Sequence, residues 1–324
     1  MRVLITGATG FVGPHVVAAL RSICGADVAV VATSRFPAQH PAFGDTEVLD
    51  VLDRNAIEVA ITRHNPSHII HLAGIAATAD VAKAPGAVWR VHVQGTLNVA
   101  HMLLRRAPGC CLVNAGSGLV YGTSACSGVA MDETTLLAPI DDYGVTKAAA
   151  DLALGALARR GLKCVRMRPF NHTGPGQTEA FAIPAFAMQI ARIEMGFAEP
   201  VIRVGNLDAE RDFLDVRDIA AAYALVVAKS PSIEPGTTLN LASGKRHRMG
   251  DLLEILLSLS RTRVKTEQDP ARMRPSELQR IVGSAERARE LLGWRPRYAI
   301  EQTLADVLAN CRQRVLVEVA RSED

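Results

Sequence analysis

The sequence predicts an α/β fold: a doubly wound parallel sheet with a smaller α/β unit completing the chain. Three observations carry this. Six short apolar runs in the first 170 residues alternate with helix-length segments, and a seventh run returns much later. Strands that are apolar on both faces belong to a sheet covered on both sides, and right-handed crossovers make such a sheet doubly wound. At 324 residues, with 48% hydrophobic and 21% charged, the chain can also bury a sizeable core, which excludes disorder.

The elements follow in order. Residues 3–5 read as the first strand, and 12–21 as the first helix. Residues 28–31 and 47–49 are the second and third strands, with a helix at 54–63. A fourth strand at 69–72 precedes a long helix at 88–106, and a fifth at 111–113 precedes a helix at 145–159. The sixth strand is 164–167. Residues 169–176 are so rich in turn formers that they read as a loop. Beyond it the rhythm breaks, and 239–241 reads as a return to the sheet. The expected division is one domain of residues 1–170 with a returning segment near 212–242, and a second of 171–211 and 243–324.

Lys and Arg number 36 against 33 Asp and Glu, a formal charge of +3. That balance lacks the basic stripe of a nucleic-acid binder, and two Trp, four Tyr and eight Phe are too few for base-stacking platforms. The six cysteines form no C-x-x-C, and Cys110 and Cys111 are read as strand neighbours pointing to opposite faces. Free thiols in a reducing compartment are expected, and with them a cytoplasmic location. The amino terminus lacks the apolar core of a signal peptide, and the longest apolar stretch, 219–228, is half the ~20 residues a spanning helix needs. Neither nucleic acid nor membrane is an expected partner. His64, His68 and His71 do not make a metal site, because Pro66 breaks the helix and strand positions three apart face opposite sides.

Gly7, Gly10 and Gly13 follow the first strand and open the first helix. Gly7 permits the tight turn, Gly10 lets a pyrophosphate approach the backbone, and Gly13 allows close helix packing. With the helix N-terminus behind them, and Phe11 and Val12 between them, they predict a dinucleotide site of Rossmann type. The second strand ends in Ser34-Arg35 with no carboxylate to accept from a ribose 2′-hydroxyl. A guanidinium fork matches a 2′-phosphate, so NADP(H) is expected, with NADPH preferred over NADH. Asp50 and Val51 after the third strand are placed near the adenine, and Leu72, Ala73 and Gly74 where the fourth strand meets the cofactor.

Tyr143 and Lys147 stand four residues apart at the start of a helix, so phenol and ammonium share a face. A nearby cation lowers a tyrosine pKa, which suits Tyr143 to general acid/base work. Ser117, just past the fifth strand, can hydrogen-bond the oxygen being protonated.

These motifs, with Val120-Tyr121-Gly122, resemble the extended short-chain dehydrogenase/reductase family, and the resemblance covers nearly the whole chain. It implies that Ser117, Tyr143 and Lys147 are the catalytic triad, that Lys147 also binds the nicotinamide ribose, and that His172 lies at the cofactor. Residues 169–172, 205–212 and 274–277 resemble the segments by which enzymes of GDP-mannose pathways hold substrate. Arg211 and Arg274 would then take the pyrophosphate, Glu277 the ribose hydroxyls and Asn171 the sugar, with Gly118 beside it. Similar 4,6-dehydratases carry a proton-moving carboxylate just after the triad serine, where this chain has Gly118 and Leu119. Similar epimerase-reductases carry Cys and His where this chain has Leu119 and Phe181. What remains is reduction of a 4-keto group: GDP-4-keto-6-deoxy-D-mannose to GDP-D-rhamnose.

Three alternatives stay open: the opposite C4 stereochemistry, giving GDP-6-deoxy-D-talose; chemistry on a UDP- or dTDP-sugar; and a non-enzymatic dinucleotide sensor. By the same resemblance, helices 88–106 and 145–159, the second carrying Ala148, Ala149, Ala150 and Ala153, would form a four-helix bundle in a homodimer. His92 stands where the family usually has Asn.

Overall fold

The computed structural model describes residues 1–76, 81, 84–273, 278 and 280–322. All seven predicted runs become strands of one sheet: β1 (Arg2–Thr6), β2 (Ala29–Ser34), β3 (Glu47–Val48), β4 (His68–His71), β5 (Cys111–Ala115), β6 (Cys164–Pro169) and β7 (Thr237–Leu241). Their spatial order is β7-β6-β5-β4-β1-β2-β3, and every pairing is parallel. The chain reverses direction of growth between β1 and β4. That switch point opens a crevice beyond the carboxyl ends of the strands, where ligands bind in such sheets.

Alternation of side chains explains why both faces need cover. Val3, Ile5, Ile70 and Val113 point to one face. There they meet Val16, Val17 and Leu20 of α1 (Gly13–Cys24), and Ile219 and Tyr223 of the helix Val216–Lys229. Leu4, Ile69 and Leu112 point to the other, against α2 (Arg54–His64) and its neighbours. Each such fully buried aliphatic side chain contributes roughly 1.5–3 kcal/mol.

Helix α3 (Pro85–Trp89) runs through a π-helical turn, Arg90–Gly95, into α4 (Thr96–Arg106). His92, within this turn, is buried, and a Cβ at Gly95 would meet Val51 at 2.7 Å, so this helix sits hard against the segment that follows β3. Helix α5 (Asp142–Ala158) begins at Asp141, whose carboxylate accepts from the Gly144 N–H at 2.7 Å.

A separate core gathers Ile183 and Ile190 of α6 (Ala182–Glu194) with Ile202 and Val204 of the short strand Val201–Val204. After α7 (Val216–Lys229), Leu252 and Leu256 of α8 (Met249–Ser258) join the same core. Beyond α9 (Glu286–Leu292), Leu304 and Leu308 of α10 (Ile300–Ser322) complete it. Among the described residues no helix is long and apolar enough to cross a membrane.

Some local expectations change. The stretch expected as a loop contains a short strand, Asn171–Thr173, paired in parallel with Phe213–Asp215. Cross-strand hydrogen bonds from a distant segment override the turn formers around it. Cys110 lies just outside β5, so only Cys111 belongs to that strand, and all six cysteines are free. The apolar stretch 219–228 lies within α7, whose buried side packs on α1.

Candidate active site

Gly7 ends β1 with φ +68°, and a Cβ there would meet the Ala73 backbone at 2.8 Å. The β1 and β4 ends therefore touch only because residue 7 is glycine. At Gly13 a Cβ would lie 2.0 Å from the Ala8 carbonyl oxygen, so this glycine admits α1 against its own entry loop. No side chain caps α1, and Pro14 occupies its first turn. With no side chain competing for it, this helix N-terminus suits an anion. Phe11 stacks on His172 at 6.1 Å and 7°, and the His172 Nδ1 bonds to the Phe170 carbonyl at 2.9 Å. The glycine loop and the segment after β6 thereby close one end of the crevice. This cradle fits a dinucleotide.

At the β2 end, Arg35 is exposed, with Nε 3.5 Å from the Asp50 carboxylate and its guanidinium over the Phe36 ring at 5.2 Å. Ser34, grouped with Arg35 by sequence, is buried instead. Its hydroxyl donates to the Phe36 carbonyl and meets Thr46 at 2.7 Å. It orders the loop, and the cation at this edge is Arg35. Asp50 is further occupied by the Leu52 N–H at 2.8 Å. Val51 turns its side chain into the core and presents only backbone. Across the crevice, the Leu72 N–H donates to the Thr6 carbonyl at 3.1 Å, leaving Ala73 and Gly74 at the rim. A Cβ on Gly74 would stand 3.2 Å from the His92 ring and 3.5 Å from the Lys147 ammonium.

Lys147 and Tyr143 project from the first turns of α5 toward the end of β5. The Lys147 ammonium donates to the Ala115 carbonyl at 2.7 Å and lies 6.0 Å from the centre of the Tyr143 ring. Burial lowers the Lys147 pKa to about 8. Tyr143 departs from the expectation that its cation lowers it. Burial pushes its pKa up, a hydrogen bond with Ser117 pulls it partly back, and Asp141 adds to the rise. The phenol therefore keeps its proton at neutral pH, poised as an acid. Ser117 is buried, and its Oγ accepts from the Leu119 N–H at 3.1 Å, which aims the hydroxyl.

His92 is a site residue whose role the sequence left open. Its Nε2 accepts the Ile75 N–H at 3.0 Å, so Nδ1 carries the proton and donates to Thr146 Oγ1 at 2.9 Å. Thr146 passes a hydrogen bond to the Asp142 or Tyr143 carbonyl, at 2.8 and 3.0 Å. Burial first, and then the Lys147 charge, hold the His92 pKa down to about 3, so the ring is neutral; its edge meets the Tyr143 ring at 5.5 Å. Spacing alone reveals neither Thr146 nor the Ile75 contact.

On the sugar side, the Phe170 ring occupies the space a Cβ on Gly118 would take, 2.9 Å away. Asn171 lies half-buried opposite Phe213. Arg211, in the strand Glu210–Arg211, donates to the Glu210 carbonyl at 2.9 Å, and burial lowers its pKa. Asp212 accepts from Ser243 and Gly244, and Asp215 from Arg217. Arg274 and Glu277 lie outside the described residues. A groove of about 730 Å³ lined by Phe213, Ser243, His247 and Trp294 contains none of the triad. Among the described residues no group of three or more His, Cys, Asp or Glu could hold a metal; His64 pairs with Glu47, and His71 bonds to Thr6 and Thr96.

The sequence profile of a family described as GDP-mannose 4,6 dehydratase matches residues 4–307. The chain belongs to this family. It is 32% identical over 318 residues to GDP-6-deoxy-D-mannose reductase of Pseudomonas aeruginosa, covering 98% of this chain and 99% of that one. It is 24% identical over 302 residues to GDP-6-deoxy-D-talose 4-dehydrogenase of Aggregatibacter actinomycetemcomitans, covering 90% and 92%. Among solved structures, RMD from P. aeruginosa complexed with NADPH superposes with a TM-score of 0.83 at 30% identity, over 97% of this chain and 99% of that one. The expected extended short-chain dehydrogenase/reductase fold and class hold. The chain is an NAD(P)-dependent enzyme, a nucleotide-sugar reductase of that class.

Proposed function

We propose that this reductase converts the C4 keto group of GDP-4-keto-6-deoxy-D-mannose to the alcohol of GDP-D-rhamnose, with NADPH preferred over NADH. The observation that carries the reading is Tyr143 and Lys147 on one turn of α5 beside Ser117, with Gly118 and Leu119, neither an acid nor a base, following the serine. A dehydratase would need a carboxylate there. Gly118 has the Phe170 ring in place of a side chain, and Leu119 moves no proton.

When bound, NADPH supplies the hydride. Gly7, Gly10 and Gly13 admit the pyrophosphate to the N-terminus of α1. Arg35 takes the 2′-phosphate, giving up part of its pairing with Asp50. Lys147, fixed on the Ala115 carbonyl, holds the nicotinamide ribose beside Gly74. Ser117 orients the C4 carbonyl, and Tyr143 gives its proton to the oxygen as the alcohol forms. Asn171 and Arg211, with Arg274 and Glu277, hold the sugar and the GDP. In this reading residues 1–170 and the 212–242 return bind NADPH, and the remainder binds the sugar nucleotide. The exposed Leu152 on α5 and Trp89 before α4 suit a homodimer joined through those helices in the cytoplasm.

The test mixes purified protein with NADPH and GDP-4-keto-6-deoxy-D-mannose, with NMR of the product. Consumption of NADPH and a GDP-D-rhamnose spectrum are expected. GDP-6-deoxy-D-talose would move the reading to the opposite hydride face, the outcome favoured by the second relative. No turnover would overturn it.

A further inference from the structure

Tyr143, Lys147 and Asp151 recur every fourth residue along α5, so all three point to the same side of the helix. The first two reach the crevice. Asp151 lies wholly buried one turn further in, where an unpaired carboxylate would cost several kcal/mol. Arg168 of β6 meets it with two prongs, Nε to Oδ2 at 3.0 Å and Nη2 to Oδ1 at 2.8 Å. The third nitrogen of that guanidinium donates to the Tyr121 hydroxyl at 2.9 Å. An arginine only donates, so the phenol must accept from it and spend its own proton elsewhere. It does so on Asn240 Oδ1 at 2.7 Å, and the Asn240 amide nitrogen donates to the Met131 carbonyl at 3.0 Å. Every donor direction in this buried chain is fixed.

Tyr121 belongs to the tight helical turn that Ser117 caps, the first part of a stretch, Gly118–Ser127, that kinks at Gly122. Gly122, at φ +47°, is pressed against the Ala138 carbonyl, so this segment has little freedom to slide. The serine turn and the catalytic helix are thus joined through Tyr121, Arg168 and Asp151, beneath the place where Ser117 approaches Tyr143 closely enough to lower its proton affinity. We propose that Asp151, Arg168 and Tyr121 are positioning residues: they hold the Ser117 turn at its working distance from Tyr143. A fork-shaped, fully desolvated ion pair suits this task because it tolerates little displacement, whereas apolar packing of equal volume would stabilise as well but define position less sharply. The inference rests on the acid and orienting roles proposed above for Tyr143 and Ser117.

Tyr121→Phe keeps the ring and removes the hydroxyl that joins Arg168 to Asn240. It should lower kcat about 10- to 100-fold, the range for a small misplacement of reacting groups, while NADPH affinity stays unchanged. Because Tyr121 acts through Ser117, the Ser117→Ala/Tyr121→Phe double variant should be no slower than Ser117→Ala alone. A readout free of the reaction is the tyrosinate absorbance titration of Tyr143 in cofactor-free protein, isolated by subtracting a Tyr143→Phe partner in each background. Weakening the Ser117 contact should move that titration to higher pH in Tyr121→Phe. Arg166→Met, which removes another Asp151 contact but none to Tyr121, should lower the melting temperature and leave both kcat and the titration in place. An unmoved titration, or kinetic losses that multiply in the double variant, would overturn the proposal. Should Tyr121→Phe not fold, Arg168→Lys takes its place, since an ammonium cannot span Asp151 and Tyr121 together. Absence of turnover in the wild type would sink the functional reading alone, because the titration still decides the positioning role.

Discussion

The catalytic wall and the Arg35 edge lie at two ends of one crevice and are built on opposite electrostatic plans. At the wall, Lys147, Tyr143 and His92 are drawn among protein atoms, and burial is the first cause of every shift: lysine and histidine down, tyrosine up. At the edge, the Arg35 side chain is 67% exposed and its Asp50 partner 35%, so water and salt screen both. Chemistry needs the first arrangement, because charge and proton affinity can be tuned only where solvent is excluded. Coenzyme choice needs only the second, a cation placed where one phosphate arrives.

The largest effect that would break this contrast is at the wall. Tyr143→Phe should cut kcat about 10²- to 10⁴-fold, the usual share of a positioned acid, with NADPH binding by fluorescence titration nearly intact. Turnover within a few-fold of wild type would remove Tyr143 from the acid role. A smaller effect concerns Lys147. The folded protein releases this proton at about 8, the unfolded chain near 10.4, so between those values the unfolded state binds more protons. Stability attributable to this group therefore rises with pH across that window, and the full cost of burying the ammonium is felt below it. Lys147→Met removes that cost, so its melting temperature relative to wild type should be highest near about pH 7 and the difference should shrink by about pH 9.5. A constant difference would mean that the ammonium is solvated. The smallest effect is at the edge. Arg35→Ala should weaken NADPH about 10-fold at low salt, leave NADH unchanged, and lose most of its effect near about 0.5 M salt. Equal losses for both coenzymes would place Arg35 away from the 2′-phosphate.

The fold and the wall differ in how much of each could be read in advance. The central strands were visible because a strand covered on both faces is mostly apolar, a local property of the chain. Gly7 and Gly13 were visible because the backbone there permits nothing larger. Tyr143, Lys147 and Ser117 stood out by spacing and by place at the strand ends. The partners of Ser34 were not legible, because nothing local reveals that its hydroxyl meets Thr46 and the Phe36 carbonyl. The expected sign of the Tyr143 shift was reversed for the same reason: the lysine four residues on was legible, the protein closing over the phenol was not. One available signal went unused. Asp151 continues the Tyr143–Lys147 spacing onto a buried helix face, and Arg166 and Arg168 interrupt an apolar strand.

The sequence by itself determined the parallel sheet, its dinucleotide turn and the residue types of a carbonyl-reducing site. These follow from periodicity, glycine sterics and side-chain chemistry, which act over a few residues. Tertiary structure alone decided which groups are desolvated and which polar partners they meet: the tautomer of His92, the upward shift of Tyr143, and the Asp151–Arg168–Tyr121 tie. Burial and hydrogen-bond geometry depend on segments far apart in sequence, such as Tyr121 and Asn240, 119 residues apart, and no local pattern encodes that meeting.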